Sequence, residues 1–126
     1  TLDHATAIVV VTSQEISSLR NAARIAETLR QRYGPARVKV VVNRFHREAV
    51  IAQEDVERVI GGDVKRIPSD YKTAVDALNA GRPLVLDMES RLAKALSAFA
   101  KDLAGVAKDR SERPSGVLGR LAWRRA

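Results

Sequence analysis

The chain has 126 residues and a mass of 13.8 kDa, with 45% hydrophobic residues, 29% charged residues and no cysteine. This length is enough for one domain with its own core but excludes two domains. The absence of cysteine excludes disulfides, thiolate zinc sites and a cysteine nucleophile, and it favours a reducing, cytoplasmic setting. The net charge of +7 and the pI near 10.4 favour an anionic partner such as nucleic acid, lipid head groups or a phosphorylated ligand.

The start of the chain is unusual, because it begins at Thr1 without a Met and continues almost at once into an apolar segment, residues 7–12. We therefore expect a fragment of a longer protein. The uninterrupted apolar runs are only a few residues long, too short for a bilayer span or the apolar region of a signal peptide. Membrane contact is then expected to be peripheral.

The first half of the sequence predicts a strand, a helix and a second strand. Residues 7–12 are β-branched without polar alternation, which predicts a central, parallel strand covered on both faces. Thr12-Ser13-Gln14-Glu15 has the form of a capping box, and apolar residues recur at helical spacing from Ile16 to Gly34-Pro35. Residues 38–43 predict the second strand, which a right-handed crossover places beside or near the first.

The second half predicts three helices and a third strand. A short helix over residues 52–60 is stopped by Gly61-Gly62, a strand follows at 64–67, and Ser69 or Asp70 caps a helix that runs to Asn79. A last amphipathic helix starts at Ser90. The fold class is α/β, a parallel sheet flanked by helices. We divide the chain into a domain at residues 1–108 and a basic linker and tail at 109–126.

Three polar segments follow the three strands: Thr12-Ser13, Asn43-Arg44 and Pro68-Ser69-Asp70. The carboxyl ends of parallel strands share one rim, where ligands bind. The side-chain amide of Asn43 offers the donor and acceptor that pair with adenine, and Arg44 suits a base or a phosphate. The alternative, favoured from these residues alone, is that Asn43 ends a strand and Arg44 is a solvated surface charge.

Other chemistries are not supported by the sequence. The segment 61–65 contains two glycines and a lysine, but it lies between a helix and a strand and lacks the Gly-Lys-Ser/Thr ending of a phosphate loop. His4 and His46 have no ligand spacing for a metal. No nucleophile elbow occurs, so we predict no catalytic residue and no metal ligand in this chain.

The C-terminal tail carries five Arg against two acids in residues 109–126, with apolar residues among them. It has the composition of a short interfacial membrane helix, and of a solubilising extension, and its Arg groups also suit nucleic acid. The candidate membrane or anion contacts are Arg120, Leu121, Trp123, Arg124 and Arg125.

An ordered set of motifs resembles the C-terminal half of a MinD/ParA-type P-loop ATPase, most closely the CpaE/TadZ-like branch associated with Flp (tight-adherence) pilus assembly. The resemblance covers residues 1–108 and rests on Leu2-Asp3, residues 8–12, Ser18-Leu19-Arg20-Asn21-Ala22-Ala23-Arg24, Val42-Asn43-Arg44, Ile67-Pro68-Ser69-Asp70 and residues 77–83.

The resemblance implies specific roles. Asn43 would recognise adenine, Arg44 would lie against the nucleotide, and Pro68 with the backbone through Ser69 up to Asp70 would form the wall of the base pocket. The cofactor would be ATP or ADP, with Mg²⁺ in the complete protein. The Walker A and Walker B segments of such ATPases lie upstream and are absent from this sequence, so neither phosphate binding nor a Mg²⁺ ligand carries over, and we expect the chain alone to be inactive.

The implied function is an ATP-dependent switch that localises or assembles pilus machinery. The complete protein would act as a homodimer that forms through the bound nucleotide. It would lie in the cytoplasm, or peripherally at the inner membrane or the cell pole. Its partners would be pilus assembly or polar localisation proteins. Two alternatives remain: a non-enzymatic polar scaffold of the same fold, and a non-specific DNA-binding protein of the partition type. No predicted helix resembles a base-reading helix, which argues against sequence-specific DNA binding.

Overall fold

The computed structural model describes residues 2–87 and 89–111. Its regular elements are β1 (Ile8–Thr12), α1 (Ile16–Tyr33), β2 (Val38–Phe45), α2 (Gln53–Ile60), β3 (Val64–Pro68), α3 (Tyr71–Asn79) and α4 (Arg91–Ser111). Three short 3₁₀ turns lie at Leu2–His4, Pro35–Arg37 and Leu84–Leu86. The predicted tail contacts, Arg120, Leu121, Trp123, Arg124 and Arg125, lie outside the described residues.

The three strands form one parallel sheet in the order β1-β2-β3. Ile8 pairs with Val38 and Thr12 with Val42, so β1 and β2 run in register along the whole of β1. Each strand is followed by a helix, which confirms the predicted α/β fold with helices flanking a parallel sheet. Because all three strands run in the same direction, their carboxyl ends lie at one edge of the sheet.

Both faces of the central strand β2 are covered. On one face Val38, Val40 and Val42 pack with residues of α1 and α2, among them Leu19, Ala26, Val56 and Ile60, and all of these are buried. On the other face Val41 packs with Ile67 of β3 and Leu92 of α4. The alternation of side chains along β2 therefore joins the sheet to α1 and α2 on one side and to α4 on the other.

The prediction that β1 is central and covered on both faces is wrong for the described part of the chain. There β1 is an edge strand, and Val9 and Val11, whose register partners Lys39 and Val41 lie on the α4 face, remain exposed, Val11 by 64%. The β-branched composition predicted the strand correctly, but composition does not show whether a second layer reaches it.

The helix ends agree with the sequence in part. Asp70 caps α3 by accepting the N–H of Thr73 at 3.0 Å, as predicted, and Ser90 caps α4 through the N–H of Ala93 at 3.0 Å. The capping box before α1 is wrong: Glu15 is the N-cap residue and makes no side-chain cap hydrogen bond. The last helix continues to Ser111, so residues 109–111 of the predicted linker are helical.

Gly61 ends α2, as predicted, with a φ of 64° and its N–H donated to the carbonyl of Glu57 at 2.9 Å. Arg30 of α1 completes this end, because its guanidinium donates to the carbonyls of Ile60 at 3.0 Å and Gly61 at 2.5 Å. The last carbonyls of a helix have no partner within the helix, so a cation there stabilises them. This contact also joins α1 to α2.

A buried lysine lies on the α4 face of β2. The Nζ of Lys39 lies 3.1 Å from Oδ2 of Asp102 on α4 and 3.4 Å from Oδ2 of Asp63. Burial alone would lower the pKa of Lys39, but the carboxylates of Asp102 and Asp63 outweigh this effect and raise it. Oδ2 of Asp102 is buried and has no hydrogen-bond partner of suitable geometry in the described part of the chain, so it is stabilised by the nearby charges of Lys39 at 3.1 Å and Lys65 at 4.0 Å.

We expect Lys39→Met to lower the free energy of unfolding by about 1–3 kcal/mol, because it removes the closer of the two ammonium groups that stabilise a buried carboxylate oxygen. Urea denaturation near pH 7 measures this, with Lys94→Met on the exposed side of α4 as the control. The pKa of Lys39 is higher in the folded protein than in the unfolded chain. Its contribution to the free energy of unfolding is therefore complete at pH values below the pKa of the unfolded chain, and it is lost as the pH rises through the pKa of the folded protein. The difference between wild type and Lys39→Met should therefore shrink at strongly alkaline pH, and a difference that does not change with pH would contradict this account.

Candidate functional site

Asn43 and Arg44 form a β-bulge at the carboxyl end of β2. Val42 pairs with Arg66 and Phe45 with Pro68, so three steps along β2 match two along β3. The extra residue interrupts the ladder and changes which face the following side chains occupy: Phe45 packs with the core on the α1 and α2 side. Asn43 and Arg44 are exposed at the rim where the sequence predicted a ligand site.

The backbone of Arg44 has a φ of 53°, the one positive φ of a non-glycine residue in the described chain. Side chains with a Cβ disfavour this left-handed conformation. It is supported locally by Asn43, whose Oδ1 accepts the N–H of Arg44 at 3.0 Å. One lone pair of Oδ1 is thereby used, while its second lone pair and the Nδ2 group remain available for a ligand.

The Asn43 cleft, as we call it, has a volume of about 490 Å³ and lies between β1, α1 and the bulge. This volume falls within the range of small-molecule sites, and the cleft combines apolar walls with a few polar groups, as such sites do. Its lining consists of Val10, Val11, Thr12, Ser13, Ser18, Asn21, Ala22, Ile25, Asn43 and Arg44. Two of the three predicted rim segments, Thr12-Ser13 and Asn43-Arg44, thus meet in one cavity.

A second cavity, the arginine cleft, has a volume of about 570 Å³ and is the largest of those described. It contains Pro68 and Ser69, so the structure places these two predicted site residues in a different cavity from Asn43 and Arg44. Its lining consists of Phe45, His46, Arg47, Glu48, Gln53, Arg66, Pro68, Ser69 and Arg91. Its basic side chains come from the loop after β2, from β3 and from the start of α4.

Asp70 lines neither cleft. Its carboxylate accepts the hydroxyl of Thr73 at 2.7 Å as well as the N–H of Thr73 at 3.0 Å. These two bonds lower the pKa of Asp70, with smaller contributions from the charges of Arg91 and Lys72. The side chain of Asp70 therefore caps α3. Only the backbone of Asp70, next to Ser69, is left for the predicted base pocket.

Gln14 holds the loop after β2 in place, a role that the sequence analysis missed. Its Oε1 accepts the N–H of His46 at 2.9 Å, and its Nε2 donates to the carbonyl of Ile51 at 2.9 Å. It connects the loop after β1 to both ends of the loop after β2, and this loop forms part of the arginine cleft. Gln14 lies within the predicted capping box, and nothing in that local sequence indicates a contact with a loop more than thirty residues away.

Among the described residues there is no cluster of three or more His, Asp or Glu side chains arranged to hold a metal ion. No described helix combines the length and apolarity that a membrane span requires.

Comparisons with known proteins agree on one fold type, although no protein-family model matches the sequence. The chain is 34% identical over 86 residues to the "Putative septum site-determining protein MinD" of Emiliania huxleyi, covering 64% of this chain and 31% of that protein. Among solved structures it is similar to the MinD cell division protein of Aquifex aeolicus, with 30% identity, a TM-score of 0.68, and coverage of 82% of this chain and 46% of that one.

Two further structures match as well. The MinC:MinD cell division protein complex of Aquifex aeolicus gives 30% identity, a TM-score of 0.67 and coverage of 79% and 43%. A ParA family ATPase from Chlorobium tepidum TLS gives 26% identity, a TM-score of 0.65 and coverage of 79% and 42%. The chain thus has the fold of part of a MinD/ParA-type P-loop ATPase, and it spans less than half the length of each of these four relatives.

We expect Arg44→Gly to have a free energy of unfolding about 1 kcal/mol higher than that of Arg44→Ala, because only the glycine relieves the positive φ of residue 44. Both variants lack the guanidinium, so the comparison isolates the backbone. Thermal or urea unfolding of the two proteins measures the difference. Equal stabilities would mean that residue 44 does not adopt this conformation.

Proposed function

We propose that this chain supplies the adenine-recognition part of a MinD/ParA-type nucleotide switch. The observation that carries this proposal is the bulge at Asn43 and Arg44, which points both residues out of the ladder beside a cleft of suitable volume. The matched relatives are named as MinD proteins and a ParA family ATPase, and this supports a nucleotide as the ligand.

Asn43 fits adenine in a specific way. Adenine presents the N6 amino group as donor and N7 as acceptor side by side. The remaining lone pair of Oδ1 would accept from N6, and Nδ2 would donate to N7. The bond from the N–H of Arg44 to Oδ1 fixes the orientation of the amide, so less rotational freedom is lost on binding. Guanine carries an acceptor in place of the N6 donor, so the same orientation disfavours it.

Base recognition, rather than phosphate chemistry, is the role that we propose for these residues. The sequence contains no Gly-Lys-Ser/Thr phosphate loop, and the described residues include no carboxylate cluster for Mg²⁺. When bound with Mg²⁺, ATP would supply the phosphoanhydride whose hydrolysis resets a switch of this kind. The residues described here would bind and orient the base.

The biological setting is part of the same proposal. The CpaE/TadZ-like motif order supports a role in pilus assembly or polar localisation, as a homodimer that ATP brings together, with pilus assembly or polar localisation proteins as partners. The basic, Trp-containing composition of the tail, with Arg120, Leu121, Trp123, Arg124 and Arg125, supports peripheral contact with the inner membrane or the cell pole.

We expect Asn43→Ala to weaken ATP binding by about tenfold or more, because a bidentate amide-to-adenine contact is worth about 1–3 kcal/mol. The measurement is isothermal titration of ATP and of GTP into the protein at the length its own cell produces. Asn79→Ala, at the exposed end of α3, is the matched control and should bind ATP like the wild type.

The ratio of ATP to GTP affinity gives the sharper result. Asn43→Ala should reduce this ratio because the group that selects the base is lost, whereas a general disturbance of the rim would weaken both nucleotides equally. Unchanged ATP affinity in Asn43→Ala would remove Asn43 from the site and overturn the proposal.

A further inference from the structure

Three arginines that come from separate parts of the chain line one cavity. Arg47 lies in the loop after β2, Arg66 on β3, and Arg91 at the first position of α4. The cavity wall contains one acidic residue, Glu48. Within the described ranges 2–87 and 89–111 neither Arg47 nor Arg91 forms an ion pair, although the charge of Arg91 lies near enough to Asp70 to help lower the pKa of that carboxyl.

Arg66 is held in place before any ligand arrives. Its Nη1 lies 3.2 Å from Oε1 of Glu57, and its guanidinium lies over the ring of Phe45, 5.8 Å from the ring centre. A guanidinium has five N–H donors, and the contact with Glu57 engages those of one nitrogen. The others remain available to an oxyanion, and a side chain that is already ordered loses little entropy on binding.

The wall around the arginines is also fixed. The N–H of Ser69 donates to the carbonyl of Phe45 at 3.0 Å, which joins the ends of β2 and β3 at the base of the cleft. On the other side Gln14 holds the loop that carries Arg47 by accepting the N–H of His46 at 2.9 Å. Asp70, the acidic residue nearest in sequence to this wall, uses its carboxylate on Thr73 and so does not occupy the cleft.

We propose that the arginine cleft is a binding site for a multiply charged phosphate group of a small ligand, separate from the Asn43 cleft. Guanidinium forks match the geometry of phosphate oxygens, and several of them around one cavity suit a compact anion with more than one charge. The cleft of about 570 Å³ accommodates a phosphorylated small molecule.

The test uses the 126-residue chain, with pyrophosphate as the probe and NMR detection of the arginine side-chain N–H groups. Pyrophosphate should shift the signals assigned to Arg47, Arg66 and Arg91. Arg47→Gln and Arg91→Gln should each weaken binding by about tenfold or more, as expected for the loss of a charge-assisted contact. Arg24→Gln, on the exposed side of α1 and outside both clefts, makes the same change in net charge and should have little effect. Circular dichroism melting should show that all three variants stay folded.

Three outcomes would overturn the proposal: no shift at the cleft arginines, an equal loss of affinity in Arg24→Gln and Arg91→Gln, or binding of a short duplex DNA but not of pyrophosphate. ATP and adenosine titrations distinguish the sources of the phosphate. If the ligand is a nucleotide, ATP should shift the cleft arginines and adenosine should not. The adenine proposal is tested separately, because its readout is the ratio of ATP to GTP affinity in Asn43→Ala, whereas the phosphate site is tested by pyrophosphate binding at the cleft arginines.

Discussion

Parallel pairing of β2 with both of its neighbours determines where the candidate site lies. Val40 pairs with Val10 on one side and with Val64 on the other, and Val38, Val40 and Val42 form the interior against α1 and α2. With this strand fixed on both edges and both faces, the ends of all three strands meet at one rim. The positions of the strand ends then determine which side chains of the following loops lie close together, and both clefts form at this rim.

The site departs from regular sheet geometry at one place, and this departure separates the two clefts. The bulge at Asn43 and Arg44 directs those residues toward the Asn43 cleft, and it turns Phe45 to the face on which Arg66 lies. An uninterrupted strand would place Phe45 on the face of Val41 instead. The bulge that separates the two clefts thus requires the positive φ of Arg44, a strained backbone conformation for a residue with a side chain. One cleft has groups suited to a base, and the other has groups suited to an anion.

Much of the fold could be predicted from the sequence, because β-branched runs, the glycines after Ile60 and the cap at Asp70 act locally. What could not be predicted depends on contacts between distant segments. Lys39 lies within a strand whose other residues are mostly apolar, and only the packing of α4 brings Asp102 to it. Gln14 and Arg66 likewise act through contacts with residues that are distant in the sequence: Gln14 with the loop after β2, and Arg66 with Glu57 and Phe45. Asn43 and Arg44 were chosen as candidates because they follow a β-branched run, which is a local signal, but β2 continues to Phe45, and the bulge that separates them from Pro68 and Ser69 depends on the register with β3.

The central claim is that Asn43 at the bulge recognises adenine. The most direct test is NMR of the protein at its natural length, observing the side-chain amide of Asn43 as ATP or GTP is added. The account predicts that ATP shifts the Nδ2 protons of Asn43 and the backbone N–H of Arg44, and that GTP shifts them much less. If ATP binds while these signals stay unchanged, or if both nucleotides shift them equally, the bulge does not recognise the base.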